Sequence, residues 1–233
     1  QTTNYENNQF NLTLENKDST TEKHQSEALL YATGRKSNTD TLNLENTSIQ
    51  IDEKSFIIRN ELFETTAKGV YVVGDASGKH MLQHAAAYEV NHLGKILLEE
   101  CTEPLHFKYM PHAVFTEPEI ASVGITEQKA KEQNIEYVTT TTNWIASAKA
   151  MSTRLDYPIT KFIINPKNYE ILGCHMIGPE SSTMMHQVLA VMHINNDVRH
   201  LKEMLYIHPA LSEALLPASV EAVREVEKYN KNL

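Results

Sequence analysis

The segments GVYVVGDASG, residues 69–78, and MLQHAAAYEVNHLGKILLEE, residues 81–100, carry the most structural information in this sequence. The apolar run before the Gly-Asp pair predicts a buried strand that ends at residue 74. The second segment is rich in Ala and Leu and contains no Pro, so it predicts a helix. Strand, turn and helix together make one α/β unit.

The Gly-Asp pair at the end of this strand could hold a ligand. A carboxylate beyond the carboxyl end of a buried strand, here Asp75, can accept hydrogen bonds from sugar hydroxyls. Gly74 would let the backbone turn beneath the ligand, and the helix N-terminus near Met81 could face phosphate oxygens. Gly and Asp also dominate ordinary turns, so this segment alone leaves a plain turn open.

The residues before this unit predict further short elements. Alternating apolar residues at 10–14 and an apolar run at 28–30 predict a strand pair joined by a polar turn, and residues 49–58 predict a hairpin. The sequence ATGR at 32–35 follows the second strand, and its Gly34 would permit another group to approach the backbone closely.

A change of composition at residues 103–111, with a Pro near each end, predicts a domain boundary. The segments that follow predict an antiparallel sheet with helices on one face. Their predicted order is a strand in HAVFTEPEIASVG, a helix in TEQKAKEQN, strands in IEYVTTTTNW, ITKFIIN and EILGCHMIG, and a helix in TMMHQVLAVMHIN. A helix, a corner at His208-Pro209 and a last helix that Pro217 would interrupt or kink complete the prediction.

The sequence IHPALSE, residues 207–213, is the second candidate for chemistry. A carboxylate that is hydrogen-bonded to one imidazole nitrogen fixes the tautomer and leaves the other nitrogen free to move protons. His208 would then be the base and Glu213 the residue that orients it. Alternatively, Glu213 is an ordinary acid near a helix N-terminus, where the helix dipole favours it.

Composition restricts the remaining possibilities. With 21 Lys and Arg against 30 Asp and Glu, the net charge of −9 gives no electrostatic reason to bind nucleic acid or an anionic membrane. No apolar stretch is long enough to span a bilayer. Cys101 and Cys174 are too far apart to indicate a close-spaced redox or metal pair, and the 11 histidines show no ligand spacing, so no metal site is expected. A reducing, cytoplasmic setting is predicted.

Taken together, these motifs resemble the class I pyridine nucleotide-disulfide oxidoreductases, which include dihydrolipoyl dehydrogenase, glutathione reductase and mercuric reductase. The resemblance extends over nearly the whole chain in both order and spacing. It rests on ALLYATGR, on GVYVVGDASG as the second FAD motif, on MLQHAAAYEV, on HAVFTEPEIASVGITEQKA and on HPALSE, which is similar to the family's HPTxSE signature.

The resemblance implies an α/β plus α+β fold in three parts. Residues 1–30 would end an NAD(P)-binding domain, and residues 31–106 would form the C-terminal part of an FAD-binding domain. Residues 107–233 would form an α+β interface domain with an antiparallel sheet, through which a homodimer assembles. NAD(P)H would be the co-substrate.

The resemblance also implies roles for individual residues. Asp75 would bind the ribitol of FAD, and Met81, Leu82 and His84 would line the isoalloxazine ring. His208 and Glu213 would serve the dithiol of the other subunit. The cofactor-binding set is completed by Gly34, Gly74 and Ala85.

The chain contains neither GxGxxG nor CxxxxC, which the family uses for dinucleotide binding and as its redox disulfide. The chain alone is therefore expected to be inactive and to retain little or no FAD. It is interpreted as the C-terminal half of a disulfide reductase. Two alternatives remain open, namely a mercuric-reductase-like flavoprotein that reduces metal ions or hypohalous and hypothiocyanous acids, and a non-catalytic dimerisation module.

Overall fold

The computed structural model describes residues 2–232, so the ends of the predicted ranges at Gln1 and Leu233 lie outside the described residues. Within it the chain forms two compact units, residues 1–79 and residues 80–233. The predicted domain boundaries after residues 30 and 106 stay predictions.

The first unit begins with a three-stranded antiparallel sheet in the order β1-β2-β3. Its strands are β1 Thr2–Glu6, β2 Gln9–Glu15 and β3 Thr21–Ser26. The strand predicted at residues 10–14 is confirmed as β2, but the one predicted at 28–30 is wrong. A tight turn, in which the Asn16 N–H donates to the Thr20 carbonyl at 2.8 Å, returns the chain early. Pairing therefore begins at Thr21, within the polar stretch.

The predicted strand that ends at residue 74 is also wrong. Val73 is extended, with φ −130° and ψ 163°, but residues 74–77 form a 3-10 helix. Because a strand needs a ladder of hydrogen bonds, the single bridge between Glu64 and Tyr71 does not make one. The hairpin predicted at 49–58 is likewise reduced to one bridge, between Ile51 and Ile57.

The second unit starts with helix α1, Gln83–Leu98, which confirms the helix predicted at 81–100. A five-stranded antiparallel sheet follows, in the order β4-β5-β8-β7-β6. The first predicted strand of this region divides into two, and the other three are confirmed. The strands are β4 His112–Val114, β5 Ile120–Gly124, β6 Val138–Asn143, β7 Ile159–Ile164 and β8 Ile171–Ile177.

Helices cover one face of this sheet, as predicted. The remaining helices are α2 Glu127–Glu132, α3 Ala148–Ser152, α4 Ser181–Ile194, α5 Arg199–Glu203 and α6 Leu215–Lys231. Helix α4 packs on β5 and β8, and α6 packs on β6 and β7. Val123, Phe162 and Cys174 stand in register beneath them and belong to the buried core.

A kink in the last helix stays a prediction, but Pro217 does not interrupt that helix, so this part of the prediction is wrong. Pro217 is the third residue of α6, where the backbone N–H of any residue would lack a partner within the helix. The short helix α3 and the 3-10 helix Trp144–Ala146 before it were not predicted.

A close backbone approach between β5 and β8 requires glycine at position 173. A Cβ added to Gly173 would overlap the carbonyl oxygen of Ile125. We expect Gly173→Ala to lower the free energy of unfolding by about 2–3 kcal/mol, the scale of an overpacked core. Gly94→Ala is the matched control, because Gly94 lies in α1 with open space around it.

The control should instead raise stability by about 0.5–1 kcal/mol, since Ala has the higher helix propensity. Urea unfolding of the two variants measures both changes. Equal effects of the two substitutions would contradict the proposed backbone approach.

The carboxylate of Glu127, in the first turn of α2, makes the unit sensitive to acid. It accepts hydrogen bonds from Lys161 at 2.6 Å and from the Tyr137 hydroxyl at 3.1 Å, and it pairs with Lys131. The hydrogen bond from Lys161 is the largest cause, followed by those from Lys131 and Tyr137, and together they lower the pKa of Glu127 to about 2.

A carboxyl group whose pKa falls on folding stabilises the folded state at any pH above the pKa that the group has in the unfolded chain. That contribution disappears as the pH falls from about 4.5 to about 2. We expect Glu127→Gln to lower stability at neutral pH and to flatten the loss of stability in this acid range. The exposed Glu132, which accepts from Gln128, provides the control Glu132→Gln. Acid unfolding curves that are the same for both variants would contradict the prediction.

Candidate functional site

The segment between α5 and α6 brings His208 and Glu213 together. Glu213 lies in the 3-10 helix Leu211–Ala214, which continues directly into α6. Its Oε1 lies 2.8 Å from His208 Nδ1. The His208 side chain is 68% exposed, whereas that of Glu213 is 20% exposed. The imidazole of His208 is therefore accessible to solvent, whereas the protein partly buries the carboxylate that binds it.

The second carboxylate oxygen of Glu213 is also engaged. Glu213 Oε2 accepts a hydrogen bond from the backbone N–H of Ala210 at 2.9 Å. This bond, followed by the one with His208, lowers the pKa of Glu213 below its ordinary value. An ionised carboxylate can only accept hydrogen bonds, so His208 Nδ1 must donate. His208 Nε2 is then the nitrogen that can take up a proton.

Asp75, one of the predicted ligand-binding residues of the first unit, forms an ion pair with Arg35. Arg35 follows Gly34 in the ATGR sequence, and its Nη1 lies 3.0 Å from Asp75 Oδ2. Asp75 is exposed, whereas Gly74 before it is buried and has a φ of +67°. The ion pair therefore brings the ATGR segment and the Gly-Asp turn to one place. Arg35 was not among the predicted site residues, although it is the last residue of the ATGR sequence.

The other predicted cofactor residues lie at the start of α1, in the second unit. Met81 and Leu82 are half-buried, and His84 is exposed, with its Nε2 donating to the carbonyl of Pro111 at 2.8 Å. Ala85 is buried, so its side chain contributes packing under the first turn.

No group of three or more His, Cys, Asp or Glu residues within residues 2–232 could hold a metal ion. Over the same residues, no helix is both long and apolar enough to cross a membrane.

The chain matches two profiles that describe different domains of one family. Residues 1–89 match the pyridine nucleotide-disulphide oxidoreductase profile, and residues 110–219 match the dimerisation domain of that family. The chain belongs to this family. The resemblance inferred from the sequence is thereby confirmed, together with the predicted fold class.

Relatives within the family include dihydrolipoyl dehydrogenases. The enzyme of Buchnera aphidicola subsp. Acyrthosiphon pisum is 31% identical over 192 residues, which is 81% of this chain and 40% of that protein. Dihydrolipoyl dehydrogenase 3 of Haloarcula marismortui is 28% identical over 88% of this chain and 42% of its own length. The chain thus spans less than half the length of these family members.

Solved structures of the family agree with the fold. The HOCl-induced flavoprotein disulfide reductase RclA from Escherichia coli superposes with a TM-score of 0.82 and 25% identity, over 91% of this chain and 48% of that one. LpdA from Mycobacterium tuberculosis gives a TM-score of 0.82 at 21% identity, over 94% and 47% of the two chains. The latter likeness supports the fold alone.

Proposed function

We propose that this chain is the FAD-contacting and dimerisation part of an NAD(P)H-dependent flavoprotein disulfide reductase. His208 and Glu213 would pass protons to and from the redox dithiol of the partner subunit. The observation that carries the proposal is the hydrogen bond from His208 Nδ1 to an ionised Glu213, with the imidazole otherwise exposed. This is the geometry of an oriented general base.

In the proposed reaction, His208 Nε2 takes the proton of a thiol and leaves a thiolate, the form that attacks a disulfide. Glu213 stabilises the imidazolium that results and keeps its ring in place. When the attacked disulfide breaks, its leaving sulfur departs as a thiolate, and His208 returns the proton to that thiolate. In this scheme His208 transfers the proton, and the negative charge of Glu213 stabilises the protonated imidazole.

The residues at the Gly-Asp turn fit FAD as the cofactor. When bound, FAD supplies electron transfer between NAD(P)H and a disulfide. The exposed Asp75 carboxylate can accept hydrogen bonds from ribitol hydroxyls, and Gly74 places no side chain beneath them. Met81, Leu82 and His84 would contact the ring system. The chain itself lacks the GxGxxG turn that binds pyrophosphate, so alone it would hold little or no FAD and would be inactive.

The surface beside His208 supports a homodimer through residues 107–233. Leu205 is 99% exposed and Ile207 is 81% exposed, both within three residues of His208. If His208 serves the other subunit, this surface must lie in the interface. Association would then remove both apolar side chains from water.

Sedimentation of the purified chain at micromolar concentration, with absorbance recorded for protein and flavin, tests both parts of this proposal. We expect the mass of a dimer and no stoichiometric flavin. Leu205→Lys should shift the equilibrium towards monomer because it would bury a charge. Leu30→Lys is the matched control, since Leu30 is 88% exposed but lies outside residues 107–233. A monomer mass would contradict the proposed homodimer, and stoichiometric flavin would contradict the expectation that the chain alone holds little or no FAD.

A second candidate function is the reduction of reactive oxidants or metal ions by a mercuric-reductase-like flavoprotein. The likeness to a reductase that is HOCl-induced favours it. Oxidant-dependent NAD(P)H consumption by a flavoenzyme containing this chain, compared with consumption on lipoamide, would distinguish the two. The third possibility, a dimerisation module without a redox role, predicts no turnover with either substrate.

A further inference from the structure

We infer that Ser147 is a positioning residue for the His208–Glu213 pair, an inference that rests on the proposed function for its catalytic meaning. The hydroxyl of Ser147 donates to the carbonyl oxygen of Ala210 at 3.2 Å. Ala210 in turn donates its N–H to Glu213. Both backbone groups of Ala210 are thus hydrogen-bonded: its carbonyl oxygen to Ser147, and its N–H to the carboxylate that orients His208.

Ser147 is well suited to be a fixed point. It is 2% exposed, and its backbone N–H donates to the Trp144 carbonyl at 2.9 Å. Trp144 is itself buried, and its indole N–H donates to the hydroxyl of Thr160 on β7 at 2.8 Å. The core of the unit therefore anchors Ser147, which is not free to follow movements of the corner.

The corner itself needs such an anchor. Met204, Leu205, Ile207, His208 and Pro209 are all exposed, so the packing of this stretch on the core comes from Tyr206, whose hydroxyl donates to the Leu201 carbonyl. Side chains without packing support lose the sub-ångström placement that proton transfer requires. The bond from Ser147 spans 63 positions of sequence and ties this stretch to the buried sheet.

Ser147 also has a local role that a test must separate from the positional one. Its Oγ accepts from the Ala150 N–H and so caps α3. Loss of the cap alone would shift the Ala150 amide signal without breaking the hydrogen bond between Ala210 and Glu213. Loss of the anchor would move Ala210 and weaken its hydrogen bond to Glu213, the first cause of that residue's low pKa.

The test follows the carboxyl carbon of Glu213 by NMR through a pH titration of the 233-residue chain. In Ser147→Ala we expect the pKa of Glu213 to rise towards its ordinary value, because Ala210 no longer holds the carboxylate. Ser147→Thr, which keeps the hydroxyl, should restore the titration. Ser152→Ala is the matched control, since Ser152 lies in the same helix and donates only to the Lys149 carbonyl.

Ser147→Cys, which is nearly isosteric and a weak donor, replaces the Ala variant if that variant does not fold. An unchanged Glu213 titration in every folded variant without the hydroxyl, together with a shifted Ala150 amide signal, would overturn the inference and leave Ser147 as a helix cap only. In a flavoenzyme containing this chain, Ser147→Ala should lower kcat by up to about a hundredfold, the scale of a catalytic group misplaced by ~1 Å.

Failure of the proposed function gives a different result. If His208→Ala leaves turnover intact while Ser147→Ala still shifts the Glu213 titration, Ser147 positions the pair and the pair does not catalyse. If His208→Ala abolishes turnover and Ser147→Ala changes neither the titration nor kcat, the pair catalyses without Ser147.

Discussion

Replacing His208 by Ala in a flavoenzyme that contains this chain is expected to slow disulfide turnover by roughly a hundredfold or more, the scale of a lost general acid-base group. The imidazole is exposed and Glu213 orients it at 2.8 Å, so its removal takes away the proton acceptor and leaves the fold intact. Steady-state kinetics with a disulfide substrate and NAD(P)H measure the effect. Glu213→Gln should reduce turnover less, because the base remains but loses its negative partner.

A second His–Glu pair supplies the matched control. His24 and Glu22, on β3, lie 3.3 Å apart and are both exposed. His24→Ala removes the same type of side chain from the same type of partner, yet it should leave turnover unchanged. An unaltered turnover number in His208→Ala, or equal losses in the two variants, would remove the basis for the assigned role.

Phe162→Ala is expected to have the largest effect on stability, a loss of about 3–5 kcal/mol in the free energy of unfolding. Phe162 is 0% exposed on β7, where it faces Thr140 of β6 and Cys174 of β8. Its removal leaves a cavity in the core between β6 and β8 that close packing prevents the neighbours from filling. Urea unfolding monitored by Trp144 fluorescence measures the change.

Phe115→Ala makes the same substitution on the surface, because Phe115 is 79% exposed. Its effect should remain within about 0.5 kcal/mol. A comparable loss in both variants would show that burial in the core is not the cause. A small loss in Phe162→Ala would show that the sheet rearranges around the missing ring.

Some elements were predictable because their signals are local. The helix α1 follows from a segment that is rich in Ala and Leu and contains no Pro, and the hairpin of β7 and β8 follows from two apolar runs separated by PKNYE. The strand predicted up to residue 74 failed for the opposite reason. An apolar run specifies a backbone that can extend, as Val73 does, but a ladder also depends on a neighbouring strand.

In the candidate site, too, contacts between residues close in sequence were predictable and contacts between distant residues were not. His208 and Glu213 lie five positions apart, so a Pro-containing corner followed by a helical turn was enough to predict their contact. Arg35 and Asp75 are 40 positions apart, and no local pattern pairs them. Ser147 carried no signal in the sequence, because its partner is a backbone carbonyl that any residue could provide.

The sequence by itself therefore determined the family, helix α1 with most of the strands and helices that follow it, and the histidine-carboxylate pair. Each of these follows from motifs or periodicities that act over a few residues. Only the tertiary structure decided that β8 lies between β5 and β7, that Arg35 reaches Asp75, and that Ser147 holds the corner beside His208. Contacts of this kind depend on which distant segments pack together, and packing is a property of the whole folded unit.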